Sequence, residues 1–185
     1  APRPVVWETG KRLSEHEDVL VSANAYIGAE PCSRARTGRR RRRHRPPGRP
    51  VALRRPLAHH FGWDLADHET IGAATAIGHL LECAGQLTGG YYADPVTKPV
   101  KGMADLGFPF ADVLADGSAT FGKLDGSGGI LTERTCAEQL LYEVGDPTSY
   151  LTPDVTADFG NVSFGSVGPD ASPSPVQPDV PARGN

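Results

Sequence analysis

The longest regular pattern of apolar positions lies between residues 69 and 87. Ile71, Ala74, Ala76, Ile77, Leu80, Leu81, Ala84 and Leu87 recur at three- and four-residue spacing. That spacing predicts a helix over 69–87 with a wide stripe turned to a core. Gly89-Gly90 stops it, and Tyr91-Tyr92 reads as an edge strand or turn. Upstream, Val19-Leu20-Val21 within residues 17–28 is a short apolar run, read as a buried strand opening into a loop at Ser22–Gly28. Residues 56–63 read as a short helix with Pro56 at its start and Gly62 at its end. Residues 110–123 predict a hairpin turning at Asp116-Gly117, because glycine accepts positive φ at little steric cost. Ile130-Leu131 reads as a short strand. Thr132 is placed to cap a helix running to about Val144, which Asp146-Pro147 ends. Val155–Phe159 and Val162–Val167 read as late strands, and the Pro- and Ser-rich stretch from Pro169 as a disordered tail. Strands alternating with helices make the expected fold class α/β or α+β.

Charge changes this picture in one place. Eleven of the 19 Lys+Arg residues fall between Arg34 and Arg55, a stretch without a single acid. The other 8 basic residues share the remaining chain with all 22 acids, so a formal net charge of −3 conceals a segment at +11 inside a chain at −14. Residues 32–50 carry neither a helical nor a strand period. The run attracts polyanions non-specifically. No aromatic residues interleave with it for base stacking and no nucleic-acid-binding module frames it, so no specific nucleic-acid partner is expected.

A length of 185 residues suits one domain with a tail. Gly and Pro together make about a fifth of the chain, so loops are abundant. No apolar run approaches the roughly 20 residues of a membrane span, and the first residues lack the apolar core of a signal peptide. Three widely spaced cysteines, Cys32, Cys83 and Cys136, form no CxxC pair. Together these predict a cytoplasmic protein without a disulfide framework or a membrane partner.

Three groups of residues carry candidate chemistry. His79, Glu82 and Cys83 stand at i, i+3 and i+4 on the predicted helix, hence on one face. They are the catalytic candidates, as a thiolate nucleophile with its base. A metal site needs more ligands than these, so no metal is expected. The favoured alternative is a buried thiol and a packed imidazole within the apolar stripe. Gly126–Gly129 ahead of a helix can present N–H groups to a phosphate such as that of CoA, although it matches neither GxGxxG nor the Walker loop and a plain flexible loop is the favoured alternative. Asn24 and Tyr26 follow the first apolar run, a crevice position in an open sheet. The ligand-binding candidates are therefore Asn24, Tyr26, Gly89, Gly90, Lys123, Gly128 and Gly129, with Gly89-Gly90 reading also as a plain helix stop. Asp94, Tyr150, Asp154 and Asp158 are further polar positions of interest, while His59-His60 read as surface residues.

Several phrases together resemble the acyclic terpene utilisation AtuA-like family, a domain of unknown function. They are Ser22-Ala-Asn-Ala-Tyr-Ile-Gly-Ala-Glu-Pro31, Gly78-His-Leu-Leu-Glu-Cys-Ala-Gly-Gln-Leu-Thr-Gly-Gly-Tyr91, Leu106-Gly-Phe-Pro109, Gln139-Leu-Leu-Tyr-Glu143, and Asp146-Pro147-x-x-Tyr150-x-x-Pro153-Asp154-Val155-x-x-Asp158-Phe159. The resemblance covers roughly 7–31 and 56–170. It implies a role in catabolism of acyclic terpenes such as citronellol and geraniol, with a branched acyl-CoA or terpenoid as the small-molecule partner and a CoA thioester as possible substrate. The family's reaction is not established, so no catalytic residue carries over and the resemblance alone does not make the chain an enzyme. Non-catalytic binding or assembly in the same pathway is the alternative.

Against that family, the chain lacks an earlier glycine-rich phrase and differs from Cys32 to about Arg55. The expected organisation is a partial domain: 1–31 as its N-terminal part, 32–55 as an irregular Arg-rich segment, 56–168 as the remainder and 169–185 as the tail. Synonymous codons across Gly38 to Arg49, read one nucleotide later, spell Ala-Asp-Val-Val-Val-Thr-Gly-Arg, a strand of the kind the family shows there. Ala171-Ser-Pro-Ser-Pro-Val176, shifted by one nucleotide, reads Arg-Val-Pro-Val-Ser-Gly, close to the family's wording after Pro169-Asp170. Both segments are thus expected to be frameshifted translation. A frameshifted, non-functional fragment is the third functional expectation, and loss of an interior strand would leave exposed edges and a poorly soluble chain.

Overall fold

A computed structural model describes residues 9–12, 15, 49–165, 175–176 and 182–184. The first apolar run, Asn24, Tyr26 and the arginine cluster up to residue 48 lie outside the described residues. Among the described residues there are three α-helices: α1 Arg49–Phe61, α2 His68–Glu82 and α3 Glu133–Leu141. The described strands are β1 Pro109–Val113, β2 Ala119–Lys123, β3 Tyr150–Leu151, β4 Val155–Ala157, β5 Pro175–Val176 and β6 Ala182–Gly184. They form two antiparallel three-stranded sheets, ordered β1-β2-β5 and β3-β4-β6. Helices beside small antiparallel sheets make this an α+β domain.

The expected central helix is α2, but it ends at Glu82 and not near Leu87, because Ala84 turns left-handed at φ +48° and a short 3-10 turn Ala84–Gln86 follows. It is also buried more completely than a single stripe requires. Every residue from Ile71 to Leu80 is buried. Small side chains at Gly72, Ala73, Ala74, Ala76 and Gly78 let neighbours close in on all sides, so α2 packs against α1, α3, β1, β4 and β6. Asp67 starts it by accepting the backbone N–H of Thr70 at 3.3 Å. Around it Ile77, Leu80, Leu87, Phe121, Leu131, Cys136, Leu140 and Phe159 form the main core. A smaller cluster of Ala58, Ile71 and Val155, with Trp63 against it, lies under α1.

The hairpin forms as the sequence predicts, pairing Val113 with Ala119 across Asp116-Gly117. Gly117 has φ +85°, and a Cβ there would meet Ala73 at 3.2 Å, so the hairpin tip sits directly on α2. Trp63 secures the same tip, its indole N–H donating to the Ala115 carbonyl at 2.7 Å. Thr132 caps α3 through a reciprocal box with Thr135 at 3.2 and 3.0 Å. That helix stops at Leu141, short of Val144, because the chain turns left-handed at Glu143, φ +59°.

Four expectations need correction. The first helix begins at Arg49, not Pro56, and Pro56 sits exposed in its interior. The last seven residues of the segment expected to be irregular, 49–55, are therefore helical. Ile130-Leu131 forms no strand. Within the tail expected to be disordered, Pro175–Val176 adds to β2 and Ala182–Gly184 to β4, since a sheet edge offers unpaired N–H and C=O groups to passing chain. Among the described residues no helix is long and apolar enough to cross a membrane.

Candidate functional site

The glycines singled out from sequence do come together. Gly89 and Gly90 follow α2, while Gly128 and Gly129 lie in the loop after β2. Their backbones are wedged against neighbouring chain. A Cβ on Gly128 would stand 2.0 Å from the Gly102 carbonyl oxygen, one on Gly129 2.5 Å from that of Thr88, and one on Gly90 2.8 Å from that of Gly85. Their N–H groups are spent inside the loops: Gly89 on Gln86, Gly90 on Gly85, Gly128 on Asp105 and Gly129 on Lys101. Lys123 donates to the Ser127 carbonyl at 3.0 Å and hydroxyl at 3.2 Å, closing the same loop. This arrangement explains the glycines by close chain approach and leaves those four N–H groups committed rather than offered to a phosphate.

The polar chemistry gathers in the last turn of α2 itself. His79 is 2% exposed, inside the core end of α2. Its Nδ1 lies 3.0 Å from Glu82 Oε1, one turn on, and 3.4 Å from the Tyr150 hydroxyl. Tyr150 and Phe159 stack at 4.6 Å, and both rings flank the imidazole at 5.1 and 5.6 Å. Gln139 on α3 donates to the His79 carbonyl at 3.2 Å, locking α3 to this turn. The carboxylate beside Nδ1 favours the tautomer with hydrogen on that nitrogen. Nε2 is then left with its lone pair, and it has no hydrogen-bond partner among the described residues. A buried imidazole oriented by a carboxylate, with the opposite nitrogen unengaged, is the geometry of a general base. Cys83, the third catalytic candidate, is the C-cap of α2 and half-buried. Immediately after it, Ala84 is held left-handed at φ +48°.

Sequence reading missed Arg54, which lies in the Arg-rich segment expected to be irregular. It is 1% exposed. The turn between β3 and β4 receives it. Thr152 Oγ1 donates to the Val155 carbonyl at 2.7 Å, accepts the Val155 N–H at 3.1 Å, and accepts Arg54 Nη1 at 3.2 Å. Arg54 Nη2 lies 3.1 Å from Asp154 Oδ2. Burial pulls the guanidinium below its ordinary range, while Asp154 and then Tyr150 pull the other way. Arg54 and His79 therefore both meet the β3–β4 hairpin, Arg54 at Thr152 and Asp154 and His79 at Tyr150. The only signal for this in the chain was Pro153-Asp154, a turn with a carboxylate at its tip. Asp158 instead caps the Gly160 N–H at 2.8 Å, and Asp94 accepts the N–H groups of Val96 and Thr97 in a tight turn. His59 and His60 are exposed. Among the described residues no group of three or more His, Cys, Asp or Glu side chains is placed to hold a metal ion.

Residues 52–172 match the family model described as acyclic terpene utilisation family protein AtuA. Arg54, His79, Glu82, Tyr150, Thr152 and Asp154 all lie inside that span, and the segment 7–31 lies outside it. No curated protein and no solved structure matches the chain.

Proposed function

We propose a function from one premise: the chain belongs to the acyclic terpene utilisation family AtuA. It serves the catabolism of acyclic terpenes such as citronellol and geraniol, acting in the cytoplasm on a branched acyl-CoA or terpenoid intermediate. The family supports the substrate class. The observation that supports a reaction is His79, buried, oriented by Glu82 and with Nε2 unengaged. A proton α to a thioester carbonyl is the kind such a base removes, because the carbonyl spreads the resulting charge. The chemistry assigned to the chain is therefore proton transfer at the acyl group.

The test is deuterium exchange at the α-carbon of a panel of branched acyl-CoAs, followed by NMR, beside ligand-induced thermal stabilisation of the same samples. Exchange that disappears in His79→Gln while stabilisation persists supports proton transfer. Stabilisation without exchange in the natural chain leaves a non-catalytic binder of the same pathway. Neither signal removes the reading.

A second reading has its own supporting observation. The family match begins at residue 52 and ends at 172, and the alternate-frame words sit at Gly38 to Arg49 and Ala171 to Val176. A frameshifted and inactive relative fits those borders. The coding DNA decides: alternate frames without those words end this reading.

A further inference from the structure

We propose that one edge of the Arg54 guanidinium, formed by Nε and Nη2, is a binding site for a two-oxygen anion, a carboxylate or a phosphate group. The proposal goes beyond proton transfer at His79 and does not depend on it. A guanidinium is planar, and its Nε–H and one Nη2–H point in parallel from the same edge. That edge matches the two oxygens of a carboxylate or phosphate. In this protein it is the edge left over. Nη1 is committed to Thr152 at 3.2 Å. Nε and Nη2 are buried and have no hydrogen-bond partner among the described residues. Asp154 is close enough to Nη2, at 3.1 Å, to supply charge, yet it is not aligned to accept its hydrogens. Buried donors are almost always paired, so an unpaired bidentate fork on a 1% exposed arginine calls for an acceptor.

The surroundings fit a ligand better than an accident of packing. Thr152 is fixed by two bonds to Val155, so the guanidinium is held rigidly before anything arrives. Tyr150 precedes this turn in the same hairpin and touches His79 with its ring and hydroxyl. An anion on Arg54 would thus place the body of its molecule beside the aromatic wall of Tyr150 and Phe159.

Titration of the full chain with acetate, glutarate, inorganic phosphate and CoA, each against chloride at equal ionic strength, tests the site by calorimetry and thermal shift. Saturable binding to the natural chain is expected. Acetate and glutarate read the carboxylate source, and phosphate and CoA the phosphate source. Arg54→Lys keeps the charge but loses the fork, and should weaken binding about tenfold or more. Asp154→Asn removes the competing carboxylate and should tighten it. Binding no stronger than that of chloride, binding undiminished in Arg54→Lys, or binding weakened in Asp154→Asn would each overturn the proposal. The first result means that Asp154 itself closes the fork, and either of the last two that the anion sits elsewhere.

Discussion

Nδ1 of His79 and Oε1 of Glu82 stand 3.0 Å apart, one turn from each other on a helix whose other residues there are apolar or small. The pair is local in sequence, so the helix itself guarantees it. What tertiary structure adds is burial of the ring and Tyr150 against the same nitrogen.

Glu82→Gln should therefore leave the fold and ligand binding intact but reduce α-proton exchange about a hundredfold. The neutral amide still accepts from Nδ1 but no longer stabilises the imidazolium that forms. Exchange rates measured beside ligand-induced thermal shifts check this. A parallel loss of both would make Glu82 structural.

The wedged loops predict a contrast between two glycines only two residues apart. Gly128→Ala drives a methyl into the Gly102 backbone and should cost roughly 3 kcal/mol. Gly126 has φ +77° with nothing within 4 Å of its absent side chain, so Gly126→Ala should cost only about 1 kcal/mol of backbone strain. Urea midpoints of the two variants report the difference.

Ala84 occupies the left-handed position that ends α2, at φ +48°, where glycine is at ease. Ala84→Gly should stabilise the chain by about 1 kcal/mol. Its urea midpoint should rise while α-proton exchange stays unchanged.

Acid should weaken the fold through its turns. Asp67, Asp94, Asp116 and Asp146 are all held below the usual 3.8, chiefly by hydrogen bonds from Thr70, Thr97, Ser118 and Thr148 respectively. The unfolded chain then binds more protons than the folded one. The contribution is complete above about pH 4–5 and lost as pH falls through the depressed values. Thermal melts between pH 6 and 2 should show this decline. The fourfold Asp→Asn variant should show a flatter one.

What the sequence revealed were features that rest on near neighbours. The Thr132 cap, the Asp116-Gly117 turn and the start and core stripe of α2 each depend on residues within a few positions, and each is present. The reach of α1 back through Pro56 was hidden, because proline at a helix start is the commoner local rule and tertiary packing overrode it. Arg54 was hidden for a different reason. Its acceptor Thr152 is 98 residues away, and nothing in a run of arginines marks which member goes inward. Among the catalytic candidates, the face holding His79 and Glu82 was visible from spacing alone. The hairpin that completes it with Tyr150 was not. The glycines were visible as a cluster, but their pressure on neighbouring carbonyls exists only once three loops meet.

The burial of α2 on every side has a kinetic meaning. No part of this domain can open far without uncovering its axle, and the axle has no solvent-facing stripe on which to survive alone. Amide hydrogens from Ala73 to Leu80 should thus exchange only when the entire assembly comes apart, and they would serve as a built-in gauge of its global stability.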